Sequence, residues 1–142
     1  MLTLTSPEEM FQWRKNLSDK GISIGFVPTM GALHVGHMHL IQKSKEQNDI
    51  TICSIFVNPT QFNNPTDFDK YPNTLNADLK ALESLNCEIV FAPSAKEMYH
   101  ELPKIKFDFG ELEHVMEGCN RPGHFNGVGI VVSKLFNIVQ PN

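Results

Sequence analysis

The 142-residue sequence has few cysteines, no excess of positive charge and no long apolar run. Its three cysteines, Cys53, Cys87 and Cys119, are widely spaced and form no CxxC pair, so we expect buried free thiols and no disulfide or thiol-bound metal. A formal net charge of −4 predicts that neither nucleic acid nor an anionic membrane is a partner. No segment has the roughly 18 apolar residues of a membrane span, and the N-terminus lacks a signal-peptide pattern. These absences predict a cytoplasmic protein.

The residues that are present favour one folded domain, because 41% are hydrophobic and 20% are charged. Ser6 before Pro7, with Glu9 three residues on, predicts a capped helix start, and Gly21 after Lys20 predicts the end of that helix. The patterns that follow predict strands over residues 22–28, 50–57 and 88–92, and helices over residues 35–46 and 75–85. This alternation predicts an α/β fold with a doubly wound parallel sheet.

Three further segments are less regular. Residues 58–72 are dense in Asn, Pro, Thr and Asp, and a loop of that length is uncommon unless it carries function. Residues 105–109 alternate apolar and polar side chains, which predicts a strand with one solvated face. Residues 128–139 are rich in Val and Ile, but their length favours a helix.

Residues 26–37 join the first predicted strand to the next helix, and ligands of parallel sheets bind at such junctions. Gly31 and Gly36 let a ligand approach the backbone closely. His34 and His37 lie three apart at the predicted helix N-terminus, where unpaired N–H groups favour phosphate. The pattern favours two imidazoles that donate hydrogen bonds to phosphate oxygens.

Two other interpretations of these histidines stay open. They could be structural groups at a helix start, or zinc ligands together with His39. The zinc interpretation is the weaker one, because the helical zinc motif needs histidines four apart with a Glu between them. The acidic residues further on are too dispersed to predict a metal cage: Asp67, Asp69 and Asp78.

A longer string carries a specific resemblance. Residues 28–37 read PTMGALHVGH and contain an HxGH signature. Two more blocks follow in order: FVNPTQF at residues 56–62, with YPNT at 71–74, and RPGHFNGV at 121–128. Together they resemble the pantoate–β-alanine ligase (pantothenate synthetase) family of the HxGH nucleotidyltransferase superfamily. The resemblance implies a Rossmann-like doubly wound fold, with residues 1–142 as an N-terminal nucleotide- and pantoate-binding domain.

The chain differs from that family in its length. Family members continue through further Lys, Gln and Ser/Arg segments that contact the phosphates and the substrate. These 142 residues end before those segments, so the C-terminal domain is absent and we expect no activity from these residues alone.

The reaction that the resemblance implies has two steps. ATP, with Mg²⁺ held mainly by its phosphates, adenylates (R)-pantoate and releases pyrophosphate. β-Alanine then displaces AMP to give pantothenate. The resemblance also implies a homodimer, and we expect no metal bound by the protein itself.

By motif, His34 and His37 would contact the phosphates, with His37 as the proton donor to the departing pyrophosphate or the pentavalent phosphorus. The ATP-binding loop would comprise Met30, Gly31, Ala32, Leu33, His34, Val35, Gly36 and His37.

Gln61 would bind pantoate and later β-alanine through its amide, with Asn58 as a second candidate. Arg121 and His124 could serve the substrate end or only anchor their loop. Apolar side chains would form the pantoate wall, although each also suits a core: Pro28, Met30, Phe56, Val128, Val131 and Val132. The alternatives are another HxGH nucleotidyltransferase and a non-catalytic nucleotide-binding or dimerisation module.

Overall fold

A parallel sheet of four strands forms the centre of the computed structural model, which describes residues 1–17, 21–62, 65–115 and 117–142. The strand order is β1-β4-β3-β2, and every neighbouring pair is parallel. The strands are β1 (Leu2–Leu4), β2 (Ile24–Thr29), β3 (Ile50–Ile55) and β4 (Ile89–Phe91). Their carboxyl ends therefore lie at one edge of the sheet, where the loops after β2, β3 and β4 meet.

Helices connect the strands, and two 3₁₀ turns lie at Pro59–Gln61 and Gly110–His114. The helices are α1 (Pro7–Lys15), α2 (Val35–Gln47), α3 (Pro65–Asp69), α4 (Leu75–Ser84), α5 (Ala95–Met98), α6 (Glu117–Asn120) and α7 (His124–Val139). Within the described ranges, no helix is long and apolar enough to cross a membrane.

Successive strand residues enter two different cores because side chains alternate between the faces of a sheet. On β3, Ile52 packs with residues of α1 and α7, whereas Cys53 packs with residues of α2 and α4. Val90 and Phe91 of β4 divide between the two cores in the same way. Helices thus cover both faces, and the predicted doubly wound sheet is confirmed.

The N-terminal capping box is confirmed. The Ser6 hydroxyl accepts from the Glu9 backbone N–H at 3.2 Å, and the Glu9 carboxylate accepts from the Ser6 backbone N–H at 3.2 Å. The helix ends at Lys15, so its predicted end at Gly21 was wrong. Lys20, the other residue of that prediction, lies outside the described residues.

Other predictions need correction. Residues 105–109 form no strand. Instead, the Phe107 N–H donates to the Asn126 side chain at 2.8 Å. Residues 58–72 are not one irregular loop: they contain the first 3₁₀ turn and α3, although residues 63 and 64 lie outside the described ranges.

Cys53 and Cys87 are buried free thiols as predicted, but Cys119 is exposed. Sequence patterns missed β1, since three residues are too few to show a period.

Helix α7 confirms the helical interpretation of residues 128–139, and it packs directly on the first 3₁₀ turn. The contact is made by Gly127, which is buried. A Cβ atom at this position would lie 2.7 Å from the Cα of Gln61 and would also meet the Thr60 carbonyl oxygen. Only a residue without a side chain allows the helix and the turn to approach this closely.

Gly127→Ala should therefore destabilise the protein by about 1–3 kcal/mol, because the methyl group meets backbone that cannot move aside. Chemical denaturation measures the change. Gly129→Ala is the matched control on the same helix, since its added methyl would meet the ends of the Phe107 and Phe109 rings, which can shift. Equal stability of the two variants would contradict the close-packing argument.

Candidate active site

The loop after β2 begins with an unusual backbone. Gly31 has φ +84° and Ala32 has φ +49°, so two consecutive residues are left-handed. The Thr29 hydroxyl, which donates to the Ser54 carbonyl at 2.7 Å, accepts the Gly31 N–H at 3.2 Å. The glycine at position 31 also leaves room for a neighbouring carboxylate, because a Cβ there would lie 3.0 Å from Asp78 Oδ2. The backbone therefore turns sharply between β2 and α2.

The Asp78 carboxylate holds this turn. Its Oδ2 accepts the Ala32 N–H at 3.0 Å, and its Oδ1 accepts the Leu33 N–H at 2.8 Å. The Thr74 hydroxyl donates to Oδ2 at 2.9 Å. Asp78 is only 4% exposed, so these bonds replace the water that a carboxylate needs. In the sequence, Asp78 is one of three dispersed acids. Its sequence signal is that it lies at helical spacing on the same side of α4 as Leu75 and Leu82.

His34 and His37 lie at the start of α2 with their rings 4.0 Å apart between centroids. The Nδ1 atom of His34 accepts the Gly36 N–H at 3.1 Å, and the Nδ1 atom of His37 accepts the His34 N–H at 3.3 Å. When each neutral ring uses Nδ1 as an acceptor, its proton lies on Nε2. The turn therefore presents two Nε2–H donors side by side.

The pKa of His37 is shifted. Burial lowers it below the ordinary 6.5, the positive charge of protonated His34 lowers it further, and the Asp78 carboxylate acts in the opposite direction. The imidazole of His37 is consequently neutral at pH 7 and acts as a hydrogen-bond donor through Nε2.

A second polar centre follows β3. Asn58 is 1% exposed, and its Nδ2 donates to the Gly127 carbonyl at 3.1 Å and to Gln61 Oε1 at 3.2 Å. Its Oδ1 accepts from the hydroxyls of Thr60 and Tyr99, each at 3.0 Å. The Thr60 backbone N–H also donates to Oδ1, at 3.3 Å, and these five bonds occupy the amide fully. Asn58 therefore holds neighbouring groups in position.

Gln61 connects this centre to the loop after β2. Its Nε2 donates to Met30 Sδ at 3.0 Å. The ring nitrogen Nδ1 of His124 lies 3.0 Å from the Gln61 carbonyl oxygen and donates to it, because a carbonyl oxygen only accepts. His124 thus anchors the turn, which is one of the two roles considered for it.

A cavity of about 330 Å³ opens beside Gln61 and Met30. Arg121, His124 and Lys70 contribute its basic groups, and Asp67 contributes a carboxylate. The excess of cationic groups suits a small anionic ligand. Met30 also lines an adjoining cavity of about 440 Å³ together with Phe56 and Asp78.

The predicted apolar wall divides into exposed, half-buried and core positions. Pro28 is exposed on β2, and Val128 and Val132 are half-buried on α7. Val131 is 6% exposed and belongs to the core. Phe56 is 4% exposed, yet it reaches the larger cavity.

His39 and Val35 are exposed on α2. The side chains of the described residues form no group of three or more metal-binding residues.

Comparison with known proteins identifies the family. The family model for pantoate-beta-alanine ligase matches residues 2–142. This chain belongs to the pantoate-beta-alanine ligase family. The resemblance predicted from the HxGH string and its accompanying blocks is thereby confirmed.

Curated members of the ligase family are close in sequence. The pantothenate synthetase of Cytophaga hutchinsonii is 48% identical over 141 residues, which are 99% of this chain and 50% of that protein. The pantothenate synthetase of Azobacteroides pseudotrichonymphae is 59% identical over 127 residues, which are 89% of this chain and 45% of that protein. The chain spans about half the length of the curated relatives it matches.

Solved structures of the ligase family share the fold. The pantoate-beta-alanine ligase of Francisella tularensis, complexed with beta-gamma ATP and beta-alanine, has a TM-score of 0.94 and 46% identity, covering 100% of this chain and 54% of that one. The pantothenate synthetase of Thermus thermophilus has a TM-score of 0.88 and 39% identity, covering 99% of this chain and 50% of that one. The predicted fold class is confirmed.

Asp78→Asn should destabilise the protein by about 1–3 kcal/mol, because the single amide oxygen can replace only one of the two carboxylate oxygens. The Ala32 N–H would keep the Thr74 hydroxyl, 3.0 Å away, as an acceptor, whereas the Leu33 N–H depends on residue 78. Hydrogen exchange at Ala32 and Leu33 should become faster, and denaturation measures the loss. The exposed Asp67→Asn is the matched control and should change neither quantity. Unchanged exchange at both amides in Asp78→Asn would show that the carboxylate does not hold the turn.

His37 should titrate below pH 6.5, measured from the imidazole NMR signals. Since the folded state then binds fewer protons than the unfolded state between their two pKa values, the free energy of unfolding should fall as the pH is lowered through that interval. In His34→Ala the pKa of His37 should rise, because a like charge is removed. A value that does not move in that variant would contradict the coupling of the two rings.

Proposed function

We propose that the chain forms the nucleotide- and pantoate-binding part of an enzyme that joins (R)-pantoate to β-alanine with ATP. The observation that carries the proposal is the hydrogen bond from the Gln61 amide to Met30 Sδ, which connects two groups at the sheet edge. One is the pair of Nε2–H donors at the start of α2, which suits phosphate. The other is the Gln61 amide beside a basic cavity, which suits a small carboxylic acid. The ATP and β-alanine bound by the Francisella relative support this assignment.

In the first step, a carboxylate oxygen of pantoate forms a bond to the α-phosphorus of ATP. The bond from that phosphorus to the oxygen bridging to the β-phosphate breaks, and pyrophosphate leaves. The protein must align two anions and stabilise the added negative charge on phosphorus. We assign the backbone from Met30 to His37 to ATP and the Nε2–H groups of His34 and His37 to its phosphate oxygens.

His37 is also the proposed proton donor to the departing pyrophosphate. Its imidazole is neutral in the free protein, and nearby phosphate charge would raise its pKa and favour proton uptake. The group would then be protonated when the leaving oxygens gain charge. Mg²⁺ would arrive with the triphosphate, since the described side chains offer no metal cage and the Asp78 carboxylate already accepts backbone N–H groups.

In the second step, the β-alanine amine attacks the carbonyl carbon of pantoyl adenylate. The bond from that carbon to the phosphate oxygen breaks, and AMP leaves. Gln61 is the proposed contact for pantoate and then for β-alanine. Asn58 is assigned to hold Gln61 because its own amide has no hydrogen-bonding group left for a ligand.

The remaining side chains of the acid site follow from their positions. Arg121 lines the cavity beside Gln61 and is assigned to the substrate carboxylate. Met30 and Phe56 are assigned to the apolar wall of the proposed acid site. Pro28, Val128, Val131 and Val132 belong to this wall by motif, with the buried Val131 supporting it from the core.

The proposal includes a cytoplasmic homodimer. Buried free thiols at Cys53 and Cys87 suit a reducing compartment. Apolar side chains between residues 102 and 115 suit contact with a second copy, because several are about half exposed or more. They are Leu102 (79%), Ile105 (57%), Leu112 (56%) and Val115 (46%).

Pyrophosphate release with ATP and (R)-pantoate tests the function, and pantothenate formation follows when β-alanine is added. The assay uses the 142-residue chain and the same chain joined to the C-terminal half of the Cytophaga relative. We expect turnover in the joined protein. His37→Ala should slow its adenylation step by roughly 10²–10⁴-fold.

His39→Ala is the matched control, because this exposed histidine lies on the same helix outside the paired rings. Its rate should stay within a few-fold of the parent protein. A similarly small effect of His37→Ala would make that histidine structural. Absence of pantoate-dependent pyrophosphate release in the joined protein would reject the ligase proposal and leave a nucleotide-binding or dimerisation module.

A further inference from the structure

Two neighbouring atoms show which way the Asn58 amide is oriented, because each can play only one hydrogen-bonding role. The Gly127 carbonyl oxygen can only accept, so it must face the Asn58 NH₂ group, at 3.1 Å. The Thr60 backbone N–H can only donate, so it must face Asn58 Oδ1, at 3.3 Å. A rotated amide would place donor against donor and acceptor against acceptor.

The direction of Asn58 sets the direction of Gln61. The second hydrogen of the Asn58 NH₂ group bonds to Gln61 Oε1 at 3.2 Å, so Oε1 faces Asn58. The NH₂ group of Gln61 consequently faces the opposite way, toward Met30 and the cavity beside Arg121. One of its hydrogens bonds to the Met30 sulfur, which leaves the second for a ligand in the cavity that accepts hydrogen bonds, such as a carboxylate.

Tyr99 connects the Asn58–Gln61 pair to the segment after β4. It follows α5 after β4, whereas Asn58 follows β3, and its hydroxyl donates to Asn58 Oδ1 at 3.0 Å. Its ring packs against Phe56, with centroids 6.2 Å apart. Burial raises the pKa of the phenol, so it remains protonated at neutral pH and stays a donor. The hydrogen bond from Tyr99 thus connects Asn58 to the segment that follows β4.

We propose that Tyr99 is a positioning residue: its hydroxyl holds Asn58 so that the NH₂ group of Gln61 faces the cavity and binds the carboxylate of the acid substrate. The inference rests on the proposed function for the identity of that acid. Tyr99 itself touches no substrate. It acts on the acid site and reaches the ATP loop only through the hydrogen bond from Gln61 to the Met30 side chain.

Tyr99→Phe tests this, because it removes the hydroxyl and keeps the ring. In the ligand-free protein, the side-chain amide NMR signals of Asn58 and Gln61 should shift. The Kd for pantoate, from NMR titration, should rise about three- to tenfold, the effect expected of one hydrogen bond. The Kd for ATP should change less than twofold.

A double-mutant cycle separates positioning from general structure. Gln61→Ala alone should weaken pantoate much more than ATP. In the Gln61→Ala background, Tyr99→Phe should have no further effect on pantoate, because the amide it positions is gone. Lys134→Met is the control: the Lys134 Nζ lies 5.1 Å from the centroid of the Tyr99 ring, so this change alters the surroundings of the ring and leaves the hydroxyl in place.

Two results would overturn the proposal. One is Tyr99→Phe with unshifted amide signals and an unchanged pantoate Kd. The other is an equal loss of pantoate affinity with and without Gln61. If the parent protein binds no pantoate, the acid assignment and the proposed function fail together, and the amide signals still decide whether Tyr99 positions Gln61.

Discussion

The geometry of the candidate site depends on one buried carboxylate. Ala32 adopts a left-handed backbone, which costs a residue with a side chain about 1–2 kcal/mol. Two N–H groups bound to the ionised Asp78 offset this, since hydrogen bonds to a charged group contribute about 1.5–3 kcal/mol each. The bend is therefore stable only while α4 presents Asp78 beneath it. Because α2 begins directly after the bend, the positions of His34 and His37 depend on a residue more than forty positions away.

Met30 joins the two halves of the site. It immediately precedes the left-handed turn, so Asp78 also limits where its side chain can lie. Its sulfur accepts a hydrogen bond from Gln61, whose turn is fixed by Asn58 and by the close approach of Gly127. A parallel sheet brings these parts together because it collects its strand ends at one edge. The proposed phosphate donors and the proposed acid-binding amide can then be adjacent, as transfer of the adenylyl group of ATP to a carboxylate requires.

The sequence predicted the parts of the fold that have a local cause. The helix starts at Ser6 and His34 follow from their own side chains, and α7 follows from its length. Residues 105–109 have the alternation of a strand, but strand pairing is a long-range property that the local pattern does not contain.

The candidate site divides in the same way. The HxGH histidines and Gln61 are predicted site residues because motif resemblance marks them. The contacts of Asp78 and the proposed role of Tyr99 have no such mark, because they arise only when distant loops meet. An acidic residue at helical spacing among leucines is the sequence signal that could have located Asp78.

The protonation of the histidine pair is coupled to nucleotide binding at the proposed site. Two adjacent imidazolium groups would repel each other, and burial already disfavours the charged form of His37. The free site therefore offers a neutral N–H donor at His37. A triphosphate changes this balance, because its charge stabilises the protonated ring. By linkage, whatever raises the pKa of His37 on binding must also make binding tighter as the pH falls toward that pKa. Under the proposed function, nucleotide binding and proton uptake by His37 are then one coupled equilibrium, and His37 is protonated mainly when a leaving group is present to receive the proton.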